Sequence, residues 1–140
     1  MTWLLDTCVL SEYIKKVPAP KVIGWLDEQD ETSLFISVIS LGEIEKSIIN
    51  LQAGDPVRAR KLRLWLGKLE QRFSGCILPL DTTALSAWAR LAVQAELMGK
   101  SLPVMDGLLM ATAQSHGLTV VTRNIQDFDT FPCLFNPWAL

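Results

Sequence analysis

Trp3-Leu4-Leu5-Asp6-Thr7-Cys8-Val9-Leu10-Ser11-Glu12 decides how the rest of the chain is read. A short apolar run over residues 2–6 has the length and composition of a buried strand. It stops at a carboxylate, and residues 7–15 then suit a short helix, broken before Pro18 and Pro20. The same grammar recurs further on. Ser33 to Val38 reads as a second strand, Cys76 to Leu80 as a third and Leu118 to Thr122 as a fourth, with Cys133 to Phe135 as a last one.

Helical segments fill the intervals. Residues 20–29 predict one helix. Ser40 predicts the cap of another, running to about Ala53 and stopped by Gly54. Asp55-Pro56 pairs a capping residue with a proline at the first helical position, so a helix is expected from there to about Phe73. Leu62, Trp65, Leu66, Leu69 and Phe73 form its apolar stripe. Asp81 caps the next helix, ending near Gly99, and residues 104–116 form another, closed by Gly117. Strands that alternate with helices imply an α/β fold, a parallel sheet covered on both faces by right-handed crossovers. Ligands of such sheets bind beyond the carboxyl ends of the strands.

Composition narrows the class. A chain of 140 residues is long enough for one domain with a sizeable core, and 49% hydrophobic with 20% charged residues describes a globular protein. No apolar run approaches the roughly 20 residues that span a bilayer. The strand-like start leaves no room for a signal peptide, so the expected location is cytoplasmic. Cys8, Cys76 and Cys133 are widely spaced, which suits neither a zinc site nor a disulfide framework. The formal net charge of −2 neither announces nor excludes a nucleic-acid partner.

Four acids carry the chemistry. Asp6 ends the first apolar run, and Glu43 lies in Ser40-Leu41-Gly42-Glu43. Asp106 lies in Pro103-Val104-Met105-Asp106-Gly107, and Asp127 in Thr122-Arg123-Asn124-Ile125-Gln126-Asp127-Phe128. Each has an ordinary structural reading. Ser40 to Glu43 matches a capping box, and Asp106 suits a helix N-terminus. Asp6 could cap the first helix and Asp127 could close a turn. Glu43 and Asp106 are expected in first helical turns, facing the same rim as Asp6. Carboxylates gathered there need a cation or shared protons, and oxygen-only ligands favour a hard divalent ion. That is the chemistry of a metal-dependent phosphodiesterase.

The segments occur in a telling order: Leu5 to Glu12, Ser37 to Glu43, Met105 to Ala113, then Thr122 to Phe128. Together they resemble the PIN-domain ribonucleases, and within them the VapC toxins of bacterial toxin–antitoxin pairs. Phe135-Asn136-Pro137-Trp138 looks like the tail of the FitB-like branch. The resemblance covers residues 1–140 as a single PIN domain, a three-layer fold with sheet order 3-2-1-4-5. It implies endonucleolytic cleavage of RNA with Mg²⁺ or Mn²⁺ in an acidic pocket. By motif position, Asp6, Glu43 and Asp106 match the three best-defined acids. The fourth place falls to Asp127 or Asn124, with Asn124, Thr7 and Arg123 as substrate or water contacts. Cys8 departs from the usual Asn, and an amide there could orient Asp6 where a thiol does so poorly. The resemblance also implies a homodimer, possibly in a higher toxin–antitoxin assembly, held by a VapB-like or FitA-like antitoxin.

Other constellations point less far. His116, the only histidine, precedes Gly117 at a helix end and has no paired nucleophile. Arg58, Arg60, Lys61, Arg63, Lys68 and Arg72 crowd one helix, as a solvated face or as a phosphate-positioning surface. Two alternatives stand beside the nuclease: an Asp-based phosphotransfer domain, and a non-catalytic PIN-like binding module whose acids are all caps.

Overall fold

The structure, a computed structural model, describes residues 1–128 and 131–140, with only the backbone at Asp127. Among the described residues five strands are formed: β1 (Trp3–Leu5), β2 (Leu34–Ser37), β3 (Ile77–Leu78), β4 (Thr119–Val121) and β5 (Leu134–Phe135). They make one sheet in the order β3-β2-β1-β4-β5, parallel throughout, as expected. The helices are α1 (Thr7–Leu10), α2 (Pro20–Glu28), α3 (Val38–Leu51), α4 (Pro56–Arg72), α5 (Thr82–Leu97) and α6 (Val104–His116). Short 3₁₀ turns cover Ser11–Ile14, Glu31–Ser33, Ile125–Phe128 and Pro137–Ala139.

The alternation of strand side chains divides the core in two. Leu5 and Val121 point to one face, where α2 and α4 supply Val22, Trp25, Leu66 and Leu69. Leu4 and Val120 point to the other, against Leu109, Met110 and Ala113 of α6. The paired registers Leu4–Val120 and Leu5–Val121 keep each face in step. Both faces are apolar because both are covered, so these strands are continuously hydrophobic instead of alternating.

Two glycines matter to this packing. Gly117 ends α6 with φ +65, a left-handed cap that costs glycine little. At Gly107 a Cβ would lie 3.0 Å from Trp88 Cδ1 and 3.1 Å from Leu102 Cδ2, so glycine lets α6 approach α5 closely.

Several boundaries differ from the sequence reading: the helix expected over residues 7–15 is α1 followed by the 3₁₀ turn Ser11–Ile14, and the start of α3 is displaced. α3 starts at Val38, and Ser37 rather than Ser40 is its cap, the Ser37 hydroxyl accepting from Ile39 N at 3.0 Å. Ser40 lies inside the helix, buried, its hydroxyl oxygen without a hydrogen bond among the described residues. The capping box Ser40 to Glu43 is therefore absent. Glu43 stands in the second turn and is not used to satisfy the helix end. The third and fifth strands are also shorter than their apolar runs.

Candidate functional site

The site is built on the carboxyl end of β1. Asp6 leaves the strand with its N–H donating to Val121 O at 3.0 Å, the last rung between β1 and β4. It then caps α1: Oδ1 accepts from Thr7 N at 2.8 Å, and its carbonyl accepts from Val9 N at 3.0 Å. The other carboxylate oxygen, Oδ2, accepts from the Thr122 hydroxyl at 2.8 Å. Asp6 is thus both a cap and a fixed anion at the sheet rim. The two readings of this residue do not compete.

Thr7 joins a second acid to the first. Its hydroxyl donates to Glu43 Oε1 at 2.9 Å, across from the exposed face of α3. Glu43 Oε2 carries no hydrogen bond among the described residues. Asp106 sits half-buried in the first turn of α6, where helix-dipole attraction favours an anion. Thr7, Glu43, Met105 and Leu108 line one cavity of ≈ 650 Å³, which places the α6 N-terminus on the same rim. Among the described residues, no three of the His, Cys, Asp and Glu side chains close around one point that could hold a metal. The donors are nevertheless carboxylate and hydroxyl oxygens, the set a hard divalent cation takes. The side chain of Asp127 lies outside the described residues; its backbone forms part of the Ile125–Phe128 turn.

Thr122 is a residue that the sequence reading did not single out. It is fully buried just beyond β4, donates to Asp6 and accepts from Asn124 N at 3.1 Å. Its one signal was a hydroxyl at the rim end of an otherwise apolar strand. Asn124 itself is exposed, tied to this rim through its backbone. Arg123 is exposed too, its guanidinium 5.4 Å from the centre of the Trp138 ring, a cation–π distance.

Cys8 takes a place at the anion after all, though weakly. Its thiol donates to Asp6 Oδ2 at 3.6 Å and lies 3.7 Å from the Thr122 hydroxyl. Burial, and then the Asp6 charge, push the thiol up to about 11. Thr122 therefore does the orienting work expected of an amide at position 8.

Glu12 is a second residue whose weight is visible only in the fold. It is 2% exposed, accepts from Ala19 N at 2.9 Å and pairs with Lys15. Burial alone would raise its carboxyl, but the Lys15 and Ala19 donors outweigh it and hold it below its ordinary range. His116 is exposed at the other end of α6 from Asp106, roughly 15 Å along the axis at 1.5 Å per residue. It belongs to no constellation with the rim.

The all-parallel sheet in the order β3-β2-β1-β4-β5 carries Asp6 and Glu43 at its carboxyl rim. The PIN-domain profile matches residues 3–131, and the chain belongs to the PIN-domain family. It is 34% identical to Toxin FitB of Neisseria gonorrhoeae over 140 residues, 96% of this chain and 97% of that protein. It is equally 34% identical to VapC ribonuclease Y4jK of Sinorhizobium fredii over 136 residues, 96% of each chain. The solved structure of FitAB bound to a DNA fragment superposes with a TM-score of 0.89 at 31% identity, covering 99% of this chain and 97% of that one.

Proposed function

We propose that this chain is the toxin of a toxin–antitoxin pair, a Mg²⁺- or Mn²⁺-dependent endoribonuclease acting in the cytoplasm. The observation that carries the reading is the Asp6–Thr7–Glu43 arrangement at the rim of β1: two carboxylates fixed by one residue between them. Full-length similarity to proteins named toxin and ribonuclease supports the activity. Among the described residues no helix is long and apolar enough to cross a membrane.

Asp6, Glu43 and Asp106 would hold the cation, with Asp127 as the fourth acid. A bound divalent ion would supply a water nucleophile at neutral pH and offset charge on the phosphate. The chain's own part is positional. Thr7 N and Thr122 fix the Asp6 carboxylate, and Thr7 Oγ1 fixes Glu43. Asn124, carrying no charge, would contact water or substrate. Attack by water leaves 5′-phosphate and 3′-hydroxyl ends. A FitA-like or VapB-like antitoxin and a homodimer of one-domain subunits complete the reading; FitAB, solved as a complex, supports the partner.

The test is cleavage of single-stranded RNA by purified protein with Mg²⁺ or Mn²⁺, with and without excess EDTA. Asp6→Asn and Asp106→Asn should each abolish cleavage while leaving the circular dichroism spectrum unchanged. Full activity in EDTA, or wild-type rates in both variants, would overturn the assignment.

A further inference from the structure

A groove of ≈ 690 Å³ runs from Thr7, between the Ser11–Ile14 turn and α4. Its charge contrasts with that of the chain, which is −2 overall. Lys15, Lys16, Arg58 and Lys61 line it, against the one acid Asp55. That acid is already engaged, its Oδ1 accepting from Arg58 N at 3.1 Å as the cap of α4. Lys15 is paired with Glu12, but Lys16, Arg58 and Lys61 are exposed and carry no ion pair among the described residues.

The cations of α4 are thereby sorted by geometry. Arg63 is committed to Glu45, with two bonds of 3.2 and 3.1 Å, and Arg72 lies 4.5 Å above the Tyr13 ring. Arg60 faces a different hollow, beside Gln52 and Pro56. Arg58 and Lys61 are the α4 cations that line the groove with Thr7, and Val57, Leu62 and the half-buried Trp65 of the same helix line it beside them.

We propose that this groove binds the single-stranded RNA that flanks the cleaved bond, its phosphates held by Lys16, Arg58 and Lys61 and one base packed against Trp65. The inference rests on the ribonuclease reading, since it gives that site its substrate track. The chemistry favours a polyanion with flat faces. Spaced, unpaired cations take phosphates irrespective of sequence, and an aromatic side chain among them offers a stacking surface for any base. The groove opens at Thr7, which touches both Asp6 and Glu43, so a strand lying in it would lead its backbone to the acids.

The experiment uses the full chain in EDTA, so that binding is read without cleavage. A fluorescein-labelled single-stranded 12-mer RNA is titrated by anisotropy over a series of salt concentrations. Arg58→Gln/Lys61→Gln should weaken binding about 10-fold at moderate salt, and should lower the slope of log K against log salt by about 1.4, at ~0.7 per single-strand phosphate contact. Trp65→Leu should weaken binding and leave the slope unchanged. Arg60→Gln is the control and should bind as wild type. Wild-type affinity and slope in the double variant would overturn the groove, and so would wild-type protein that does not bind the RNA. If the double variant keeps RNA binding but loses its co-expressed antitoxin, the groove is a protein site and the inference fails. Cleavage assays with Mn²⁺ separate the two readings. Absence of cleavage with intact, groove-dependent binding would sink the nuclease alone, whereas unimpaired binding and cleavage in the double variant would sink the groove alone.

Discussion

The Thr122 hydroxyl reaches Asp6 Oδ2 at 2.8 Å across 116 residues of sequence. The Thr122 hydroxyl oxygen in turn accepts from Asn124 N at 3.1 Å, so one buried hydroxyl joins the β1 anion to the loop that follows β4. Replacing Thr122 with Val keeps the volume and removes both bonds. Hydrogen bonds to a charged group contribute about 1.5–3 kcal/mol, and a destabilisation of that order is expected in urea melts. Mn²⁺ affinity measured by calorimetry should fall as well, and Thr122→Ser should restore most of it. Restoration by Ser of stability alone, with Mn²⁺ affinity unchanged across all three proteins, would show that the hydroxyl only packs.

Cys8 should be slow to react. With the thiol at about 11, only roughly one molecule in a thousand carries a thiolate at pH 8. Exposed Cys133 should be alkylated by iodoacetamide at pH 8 well before Cys8, as peptide mass spectrometry can follow. The sign for stability follows from the raised value. The neutral thiol favours the fold below pH 9, its ordinary value, and that contribution is lost as pH rises through about 11. Equal alkylation rates would contradict the burial.

Glu12 has the opposite sign. Its carboxyl is held low, so its contribution is present above the ordinary value of 4.5 and is lost as pH falls. Glu12→Gln keeps an acceptor for Ala19 N and loses the charge facing Lys15. The variant should have a lower urea midpoint than wild type at pH 7, and the gap should narrow as pH falls below 4.5. A gap that is constant across this range would remove the charge from the account.

Gly107 tests the packing of α6 on α5. A Cβ at this position meets the Trp88 ring at 3.0 and 3.1 Å and Leu102 at 3.1 Å. Gly107→Ala should destabilise by about 1–3 kcal/mol, the usual cost of overpacking, despite the better helix propensity of alanine. A thermal midpoint equal to or above wild type would show that Trp88 can move aside.

Much of this was readable along the chain. Asp55 and Asp81 cap the helices expected of them, because Asx capping is a local interaction within three residues. The start of α3 was misread for an equally local reason. Val38 and Ile39 are β-branched, and they extend the strand signal of Leu34–Ser37 into what is the first helical turn. Asp6 was legible as a rim acid, but the partner that aims it was not. Thr122 acts at a distance in sequence where spacing carries no information. Glu12 was obscured because an acid three residues before a lysine suggests a solvated pair, whereas Ala19 N draws it inside.

The strand synthesised before the other four is the middle strand of the sheet. On the ribosome β1 must wait for β4 on one flank, and the anion at its tip waits for Thr122. At 5–20 residues per second the 116 residues between them take roughly 6–23 s to appear. During that interval Asp6 lacks the neighbour that aims it. A message broken before the β4 segment yields a polypeptide whose central strand has one side open and whose carboxylate is unaimed. A copy released early therefore carries Asp6 without the hydroxyl that fixes its carboxylate in the finished chain.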